Sequence, residues 1–313
     1  MADIVISEFM DASVVEDGFG SYSVLYDPEL VDQPERLASE LAQAKALVVR
    51  NRTQVNQPLL EQAPNLCVVG RLGVGLDNID QLACEERNVA VCPATGANDQ
   101  SVAEWVITAA LMLLRRAWLG TDRVAGGAWP RTQMMGREIG GKRLGLVGFG
   151  GIAKQTASRA QALGMAVCAY DPFVEHSDPA WQANKVAPVG LQDLLRTADV
   201  VSLHVPLTAD TRNLIDAAAL GLMKDNAILV NAARGGVVDE GALVEALGQG
   251  KIGGAALDVY ESEPLSAESG APFQGLDNVI LTPHIAGVTD ESNERVSALT
   301  ATNVLRELDN HGG

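Results

Sequence analysis

Short β-branched runs alternate with helical stretches along almost the whole 313-residue chain. Strands joined by crossover helices pair in parallel, so this alternation predicts an α/β fold with parallel sheets. The first series of predicted strands is Ile4–Ser7, Val24–Tyr26, Leu47–Arg50, Leu66–Gly70 and Val89–Cys92. The second series is Arg143–Val147, Ala166–Tyr170, Val200–His204, Ala227–Asn231, Gly254–Leu257 and Val279–Thr282. Two such series predict two doubly wound domains.

Helical patterns separate these strands. The shorter predicted helices are Pro34–Ala44, Asn78–Arg87, Ile152–Leu163, Leu191–Thr197, Ala217–Gly221 and Gly241–Leu247. A longer one, Ser101–Leu119, is apolar on nearly every side, which predicts burial in an interdomain or intersubunit contact. The last helix, Asp290–Leu308, follows the final predicted strand, and we expect it to return to the first domain.

Charge limits the classes of partner that the chain can bind. It has 23 Lys and Arg residues against 40 Asp and Glu residues, and its formal net charge is −17. Such a field repels phosphate backbones and anionic membrane surfaces, so we expect neither nucleic acid nor a membrane as a partner. The first residues of the chain lack the basic and apolar regions of a signal peptide, which predicts a cytoplasmic protein.

The cysteines give no indication of a metal or disulfide framework. Cys67, Cys84, Cys92 and Cys168 show no C-x-x-C spacing, and no histidine lies near them at metal-ligand spacing. Hydrophobic residues make up 47% of the chain, enough to enclose small thiols in a sizeable core. We therefore expect reduced, buried cysteines and no metal site.

A glycine-rich turn of the form G-x-G-x-x-A lies between a predicted strand and a predicted helix. Gly148 permits the tight turn, Gly150 lets the backbone approach a pyrophosphate, and Ala153 keeps the helix close to the strand. The helix N-terminus then offers N–H groups and a partial positive charge to phosphate. The spacing thus predicts a dinucleotide site, and a tight turn without a ligand is the alternative.

Asp171 ends the strand that follows this turn, where an acidic side chain accepts hydrogen bonds from the adenosine ribose hydroxyls. Its charge would repel a 2′-phosphate. The next residues, Pro172 and Phe173, bring no arginine that could bind such a phosphate. The pattern therefore predicts NAD rather than NADP as the cofactor.

A second glycine cluster, Gly70–Asp77, also follows a predicted strand, but its spacing does not fit a dinucleotide turn. A loop of this composition can present several backbone N–H groups to one anion. An anion-binding loop is therefore the functional interpretation, and a plain tight turn is the structural one.

Three polar residues follow successive strands in the second half of the chain: Arg234, Glu263 and His284. In such sheets ligands bind outside the carboxyl ends of the strands, so all three can reach the cofactor crevice. His284 is a candidate general base, Glu263 can orient its ring, and Arg234 can bind a carboxylate. His204 also follows a strand and competes for the role of base, and nothing in the local sequence separates the two histidines.

Several motifs occur in order along the chain and resemble those of the D-isomer-specific 2-hydroxyacid dehydrogenases: Val147–Ala153, His204–Thr208, Asn231–Gly236 and Thr282–Gly287. The resemblance extends over nearly the whole sequence. It implies that Arg234, Glu263 and His284 form the catalytic set. It also implies that His204 lies beside the cofactor and Asp258 near the nicotinamide amide.

The resemblance further implies a Rossmann NAD-binding domain, residues 98–287, inserted into a flavodoxin-like substrate domain made of residues 1–97 and 288–313. The implied activity is NAD-dependent oxidation of a D-configured 2-hydroxy acid to the 2-oxo acid, in a homodimer formed through the cofactor domain. An NAD-sensing co-repressor is the alternative that is not an enzyme. The implied cofactor-binding residues are Gly148, Gly150, Gly151, Ile152, Ala153, Asp171, His204, Val205, Pro206, Ala232, Asp258 and Gly287.

Segments 48–53, 69–78 and 129–131 resemble the 3-phosphoglycerate dehydrogenase branch and its short members that act on 3-sulfolactate. Substrates of both kinds carry a second anion. We expect oxidation of (S)-3-sulfolactate to 3-sulfopyruvate, with D-3-phosphoglycerate oxidation or hydroxypyruvate and glyoxylate reduction as alternatives. The expected substrate-binding residues are Arg50, Arg52, Arg71, Leu72, Gly73, Val74 and Arg131, although ordinary ion pairing also accounts for the arginines.

Overall fold

The computed structural model of the chain describes residues 2–311, apart from the side chains of residues 118 and 119. These residues form two units, each built on one parallel β-sheet. The first unit comprises Met1–Asn98 and Val288–Gly313, and the second comprises Asp99–Gly287. The middle of the chain therefore forms one unit, and the two chain ends together form the other.

The sheet of the first unit consists of β1 (Ile4–Ile6), β2 (Val24–Tyr26), β3 (Ala46–Val49), β4 (Val68–Arg71) and β5 (Ala90–Pro93). All strands are parallel, in the order β2-β1-β3-β4-β5. Both faces of the sheet are covered, and β3 is accordingly buried and apolar at every position instead of alternating. The strand order is that of the predicted flavodoxin-like fold.

The sheet of the second unit consists of β6 (Arg143–Val147), β7 (Ala166–Tyr170), β8 (Ala187–Pro188), β9 (Val200–Leu203), β10 (Ile228–Asn231), β11 (Gly254–Leu257) and β12 (Val279–Leu281). The strands are parallel, in the order β12-β11-β10-β9-β6-β7-β8. The chain direction across the sheet reverses between β6 and β9, which is the switch point of a Rossmann fold. A ligand crevice is expected outside the carboxyl ends of these two strands.

The helices that cover the sheets are α1 (Ala12–Asp17), α2 (Pro34–Leu41), α3 (Gln57–Glu61), α4 (Gln81–Glu86), α5 (Asp99–Arg115), α6 (Thr121–Ala125), α7 (Gly151–Ala162), α8 (Pro179–Ala183), α9 (Leu191–Thr197), α10 (Ala217–Leu222), α11 (Glu240–Gly248), α12 (Ala267–Gly270) and α13 (Asp290–His311). Side chains of Asp11, Asn56 and Asp80 accept backbone N–H bonds at helix starts. Within residues 2–311, none of the helices has the length and apolar character needed to cross a membrane.

Helix α5 corrects the prediction for Ser101–Leu119. It ends at Arg115 because Arg116 adopts a left-handed conformation with φ of 54°. The prediction of an interdomain or intersubunit contact was wrong for its buried face, because residues such as Val106 and Leu114 pack in the core of the second unit. The helix is apolar because it lies between α7 and the sheet of its own unit.

Helix α13 lies on the sheet of the first unit. A β-carbon at Gly70 in β4 would come within 2.5 Å of Val304 Cγ2, so the glycine gives the helix room to pack on the strand. Helices α1, α3, α6, α8 and α12 and strand β8 were not predicted. Each contains at most six residues, and so few positions show no usable periodicity.

Candidate active site

The turn between β6 and α7 needs glycine at its first position. Gly148 has φ of 95°, and a β-carbon there would lie 2.5 Å from the carbonyl oxygen of His204. Gly150 faces open space, since no described atom lies within 4 Å of where its β-carbon would be. Helix α7 begins at Gly151 without a side-chain cap from the described residues, so its first N–H groups can bind phosphate.

Asp171 follows β7 and is held by two backbone groups. Its Oδ2 accepts the N–H of Phe149 at 2.9 Å, and its Oδ1 accepts the N–H of Phe173 at 2.9 Å. The carboxylate is thus tied to the glycine turn, and each oxygen keeps a lone pair for ribose hydroxyls. Phe149 is itself stacked on Trp181, with ring centroids 4.2 Å apart. The residues therefore fit a dinucleotide with a free ribose 2′-hydroxyl.

His284 and Glu263 form a hydrogen-bonded pair. His284 Nδ1 lies 2.7 Å from Glu263 Oε2, and Glu263 Oε1 accepts the N–H of Tyr260 at 3.0 Å. Burial raises the pKa of Glu263, but the hydrogen bonds from His284 and Tyr260 and the nearby positive charges bring it below its ordinary value. The ionised carboxylate favours a proton on Nδ1 and leaves Nε2 as the ring atom for proton transfer.

Asp258 holds the loop that carries His284. It is buried, and its Oδ1 accepts the Thr282 hydroxyl at 2.5 Å and the N–H of Ile285 at 2.8 Å. Its Oδ2 accepts the N–H of Ala286 at 2.7 Å. Within this loop His284 has φ of 56°, a conformation that most side chains avoid. Three hydrogen bonds to one carboxylate keep the loop in this shape.

Arg234 lies in the loop after β10, which Asn231 shapes. The Asn231 side chain accepts the N–H of Ala233 at 3.0 Å and donates to the Arg234 carbonyl at 2.9 Å. A β-carbon at Gly235 would overlap the Tyr260 carbonyl, so this loop lies directly against the loop that carries Glu263. The positive charge of Arg234 contributes to the lowered pKa of Glu263. The structure thus brings the three predicted catalytic residues to neighbouring strand ends.

His204 is placed differently. Its Nε2 lies 2.9 Å from Ser202 Oγ, and its backbone N–H donates to the Val147 carbonyl at 2.7 Å. Burial lowers the pKa of His204 to about 4, so the ring is neutral at physiological pH. An imidazole with so low a pKa, and with no carboxylate partner among the described residues, is a weak general base. The two histidines, which local sequence left equivalent, therefore differ in their surroundings.

The other predicted cofactor residues lie along the same edge of the sheet. Ile152 and Ala153 belong to the first turn of α7, and Ala153 is fully buried beneath it. Val205 and Pro206 follow β9, and Ala232 follows β10. Gly287, after β12, is the last residue of the second unit. All of these residues follow strands of the second sheet or begin α7.

The predicted substrate arginines of the first unit differ in their contacts. Arg52 forms an exposed ion pair with Asp32, which is the ordinary explanation for such a residue. Arg50 is half-buried, and it donates to Asn293 Oδ1 at 2.9 Å and lies over the Phe9 ring. Burial lowers the pKa of Arg50, although the charge of Glu8 opposes this. Arg50 is therefore the more buried of these two arginines.

Arg71 folds back over its own loop. Its Nη1 donates to the Leu72 carbonyl at 2.9 Å and occupies the space of a side chain at Gly73, whose φ is 143°. Leu72 is buried, whereas Val74 is half-exposed. Arg131, in the second unit, is exposed. The glycine cluster thus contains a tight turn at Gly73 that is covered by an arginine.

Glu8 is a structural residue that sequence reasoning missed. It is buried two residues after the end of β1, and its carboxylate accepts the N–H groups of Arg50, Asn51, Arg52 and Thr53 at 2.9 to 3.2 Å. Four consecutive N–H groups on one carboxylate determine the shape of the loop after β3. An acidic residue directly after a buried strand was the available signal.

A family model described as the NAD-binding domain of D-isomer-specific 2-hydroxyacid dehydrogenases matches residues 107–286. The chain belongs to this family. Its sequence is 55% identical to an (S)-sulfolactate dehydrogenase of Chromohalobacter salexigens, over 98% of this chain and 99% of that protein. It is 43% identical to a D-3-phosphoglycerate dehydrogenase of Archaeoglobus fulgidus, over 87% of this chain and 51% of that protein.

Among solved structures, a D-lactate dehydrogenase of Aquifex aeolicus in complex with NAD and lactic acid has a TM-score of 0.87 at 30% identity. The match covers 98% of this chain and 95% of that chain. The protein is accordingly an NAD-dependent 2-hydroxyacid dehydrogenase. The predicted fold class, family, cofactor and enzymatic activity are confirmed.

Proposed function

We propose that this enzyme oxidises (S)-3-sulfolactate to 3-sulfopyruvate with NAD. The observation that carries the proposal is the end-to-end similarity to an (S)-sulfolactate dehydrogenase. That similarity extends along both units of the chain.

The mechanism follows from the second unit. His284 Nε2 accepts the proton of the substrate C2 hydroxyl, and Glu263 stabilises the resulting imidazolium through Nδ1. Arg234 binds the C1 carboxylate and polarises the C2 oxygen. The glycine turn after β6 and Asp171 would hold NAD, which when bound would supply the hydride acceptor for C2. Alcohol oxidation thereby releases one proton and one hydride and leaves a carbonyl group.

Stereochemistry is compatible with this substrate. In the naming rules a CH2–sulfonate group outranks a carboxylate, whereas methyl and CH2–O–phosphate groups do not. (S)-sulfolactate therefore has the same spatial arrangement as D-lactate and D-3-phosphoglycerate. A site that is selective for D-hydroxy acids accepts it without inversion.

The second anion of the substrate is part of the proposal. Guanidinium groups bind sulfonate and phosphate oxygens through paired N–H donors. Arg52 is engaged by Asp32, whereas Arg50 and Arg71 are half-buried in defined positions. We therefore expect Arg50 and Arg71 to matter more than Arg52 for recognition of the second anion.

D-3-phosphoglycerate is the second candidate substrate, supported by the similarity to D-3-phosphoglycerate dehydrogenases. The deciding experiment measures NADH formation from NAD at mildly alkaline pH with both sulfolactate enantiomers, D-3-phosphoglycerate, D-glycerate, glycolate and both lactates. A kcat/KM that is highest for (S)-sulfolactate supports the proposal. A higher value for phosphoglycerate, or no turnover of sulfolactate, overturns it.

A homodimer formed through the second unit also remains a proposal, which rests on the family resemblance alone. Sedimentation equilibrium at several protein concentrations tests it. A mass of twice 32.9 kDa is expected, and a monomer at all concentrations contradicts it.

A further inference from the structure

Asp99, the first residue of α5, lies against the phosphate-binding helix of its own unit. Its Oδ2 occupies the space that a side chain at Gly151 would fill, and Gly151 is the first residue of α7. The positive end of the α7 dipole therefore has a carboxylate beside it before any ligand arrives. The same helix end must receive the pyrophosphate of NAD.

No cationic side chain in the described part of the chain compensates the charge of Asp99. Among the described residues, neither a hydrogen bond nor an ion pair reaches its carboxylate, and burial raises its pKa. The cations on α7 are engaged elsewhere, because Lys154 lies over the Phe149 ring and Arg159 pairs with Glu104 at 3.1 Å. The strands packed against α5, namely β10, β11 and β12, contain no charged residue.

We propose that Asp99 is an internal anion that opposes the pyrophosphate of the dinucleotide and so weakens the affinity of this enzyme for NAD and NADH. Two like charges that share one helix end in a partly desolvated place repel each other more strongly than they would in water. Because Gly151 has no side chain, the carboxylate can approach α7 closely.

A weakened cofactor affinity has a kinetic consequence. Product release limits the turnover of many enzymes, and repulsion at the pyrophosphate speeds the departure of NADH. The repulsion acts on the pyrophosphate of NAD and is the same whichever hydroxy acid the enzyme oxidises. Its test is therefore independent of the substrate proposal.

The test is a fluorescence titration of the Asp99→Asn enzyme with NADH, without hydroxy acid, at pH 8 and low ionic strength. Asparagine keeps the shape of the side chain and removes its charge, and Asp99→Ala repeats the charge removal with a different shape. The control is Glu245→Gln on α11, an exposed position that changes the net charge equally. We expect both Asp99 variants to bind NADH about tenfold more tightly, with the control unchanged.

The dependence of the Kd for NADH on salt and on pH distinguishes charge repulsion from a change in packing. The difference in Kd between wild type and Asp99→Asn should shrink in 0.5 M salt, because added ions screen charge repulsion. NADH should bind the wild type more tightly as falling pH protonates Asp99, and Asp99→Asn should lack this strengthening. An affinity of Asp99→Asn equal to or weaker than that of the wild type overturns the proposal.

Discussion

The Nδ1 atom of His284 lies 2.7 Å from Oε2 of Glu263, although the two residues belong to loops that follow different strands. The contact depends on neighbouring loops. Tyr260 donates its N–H to the other oxygen of Glu263, and Asp258 holds the backbone beyond His284. The His284–Glu263 pair is thus one part of a hydrogen-bond network that joins the ends of β11 and β12.

Replacing His284 by alanine should lower kcat by a factor of about 100 to 10,000, because the base that accepts the hydroxyl proton is lost. The Kd for NADH should change little. The matched control is His204→Gln, which should keep most of its proton-transfer activity because the His204 ring is already neutral. Stopped-flow measurement of the first turnover checks both variants. Loss of proton transfer in His204→Gln alone would show that the base is assigned wrongly.

Glu263 should contribute to stability in a pH-dependent way. Its pKa in the folded protein lies below the ordinary value of 4.5, so its contribution is complete above pH 4.5 and is lost as the pH falls through the lowered value. Urea unfolding of wild type and Glu263→Gln between pH 3 and pH 8 measures this. The difference in unfolding free energy should be constant at neutral pH and should decrease in acid. A difference that grows as the pH falls would contradict the assignment.

Asp258→Asn should destabilise the loop that carries His284. An amide group cannot accept all three hydrogen bonds, so a buried N–H or hydroxyl loses its partner at a cost of about 1–3 kcal/mol. Thr282→Val is the matched comparison because it removes only one of the bonds. We expect a larger loss of unfolding free energy and of kcat in Asp258→Asn than in Thr282→Val. Equal effects would mean that the backbone contacts of Asp258 contribute nothing.

Glu8→Gln should destabilise the first unit more than any exposed acidic substitution there. All four partners of the Glu8 carboxylate are N–H donors, and the amide NH2 group cannot accept from them. A loss of about 2–4 kcal/mol in urea unfolding is expected. Asp32→Asn breaks only the exposed pair with Arg52 and should cost less than about 1 kcal/mol. Similar costs for the two variants would exclude Glu8 as the residue that holds the loop.

Arg71→Ala should raise KM for a substrate with two anionic groups much more than for D-lactate, by a factor of about ten or more. Arg52→Ala serves as the comparison, because Arg52 is engaged by Asp32 and should change KM little. Steady-state kinetics of both variants with both substrates measure these changes in KM. Equal increases in KM for the two substrates would exclude Arg71 from recognition of the second anion.

Features that depend on local order along the chain were predictable. The β-branched runs specified parallel strands, and the spacing of Gly148, Gly150 and Ala153 specified the turn that faces a dinucleotide. Asp171 was identified by its position at the end of the next strand. These signals are local because a turn or a strand is formed by consecutive residues with fixed conformational preferences.

Other features were decided by the tertiary structure. The choice between His204 and His284 depends on burial beside Ser202 in one case and on a carboxylate 21 residues away in the other. Glu8 meets a loop that begins 42 residues later, and Asp99 reaches Gly151 from another helix. Helix α5 ends before the left-handed Arg116, although the apolar pattern of the sequence continues beyond that residue. Hydrogen bonding, desolvation and charge act between atoms that the fold brings close together, and sequence spacing carries no record of those distances.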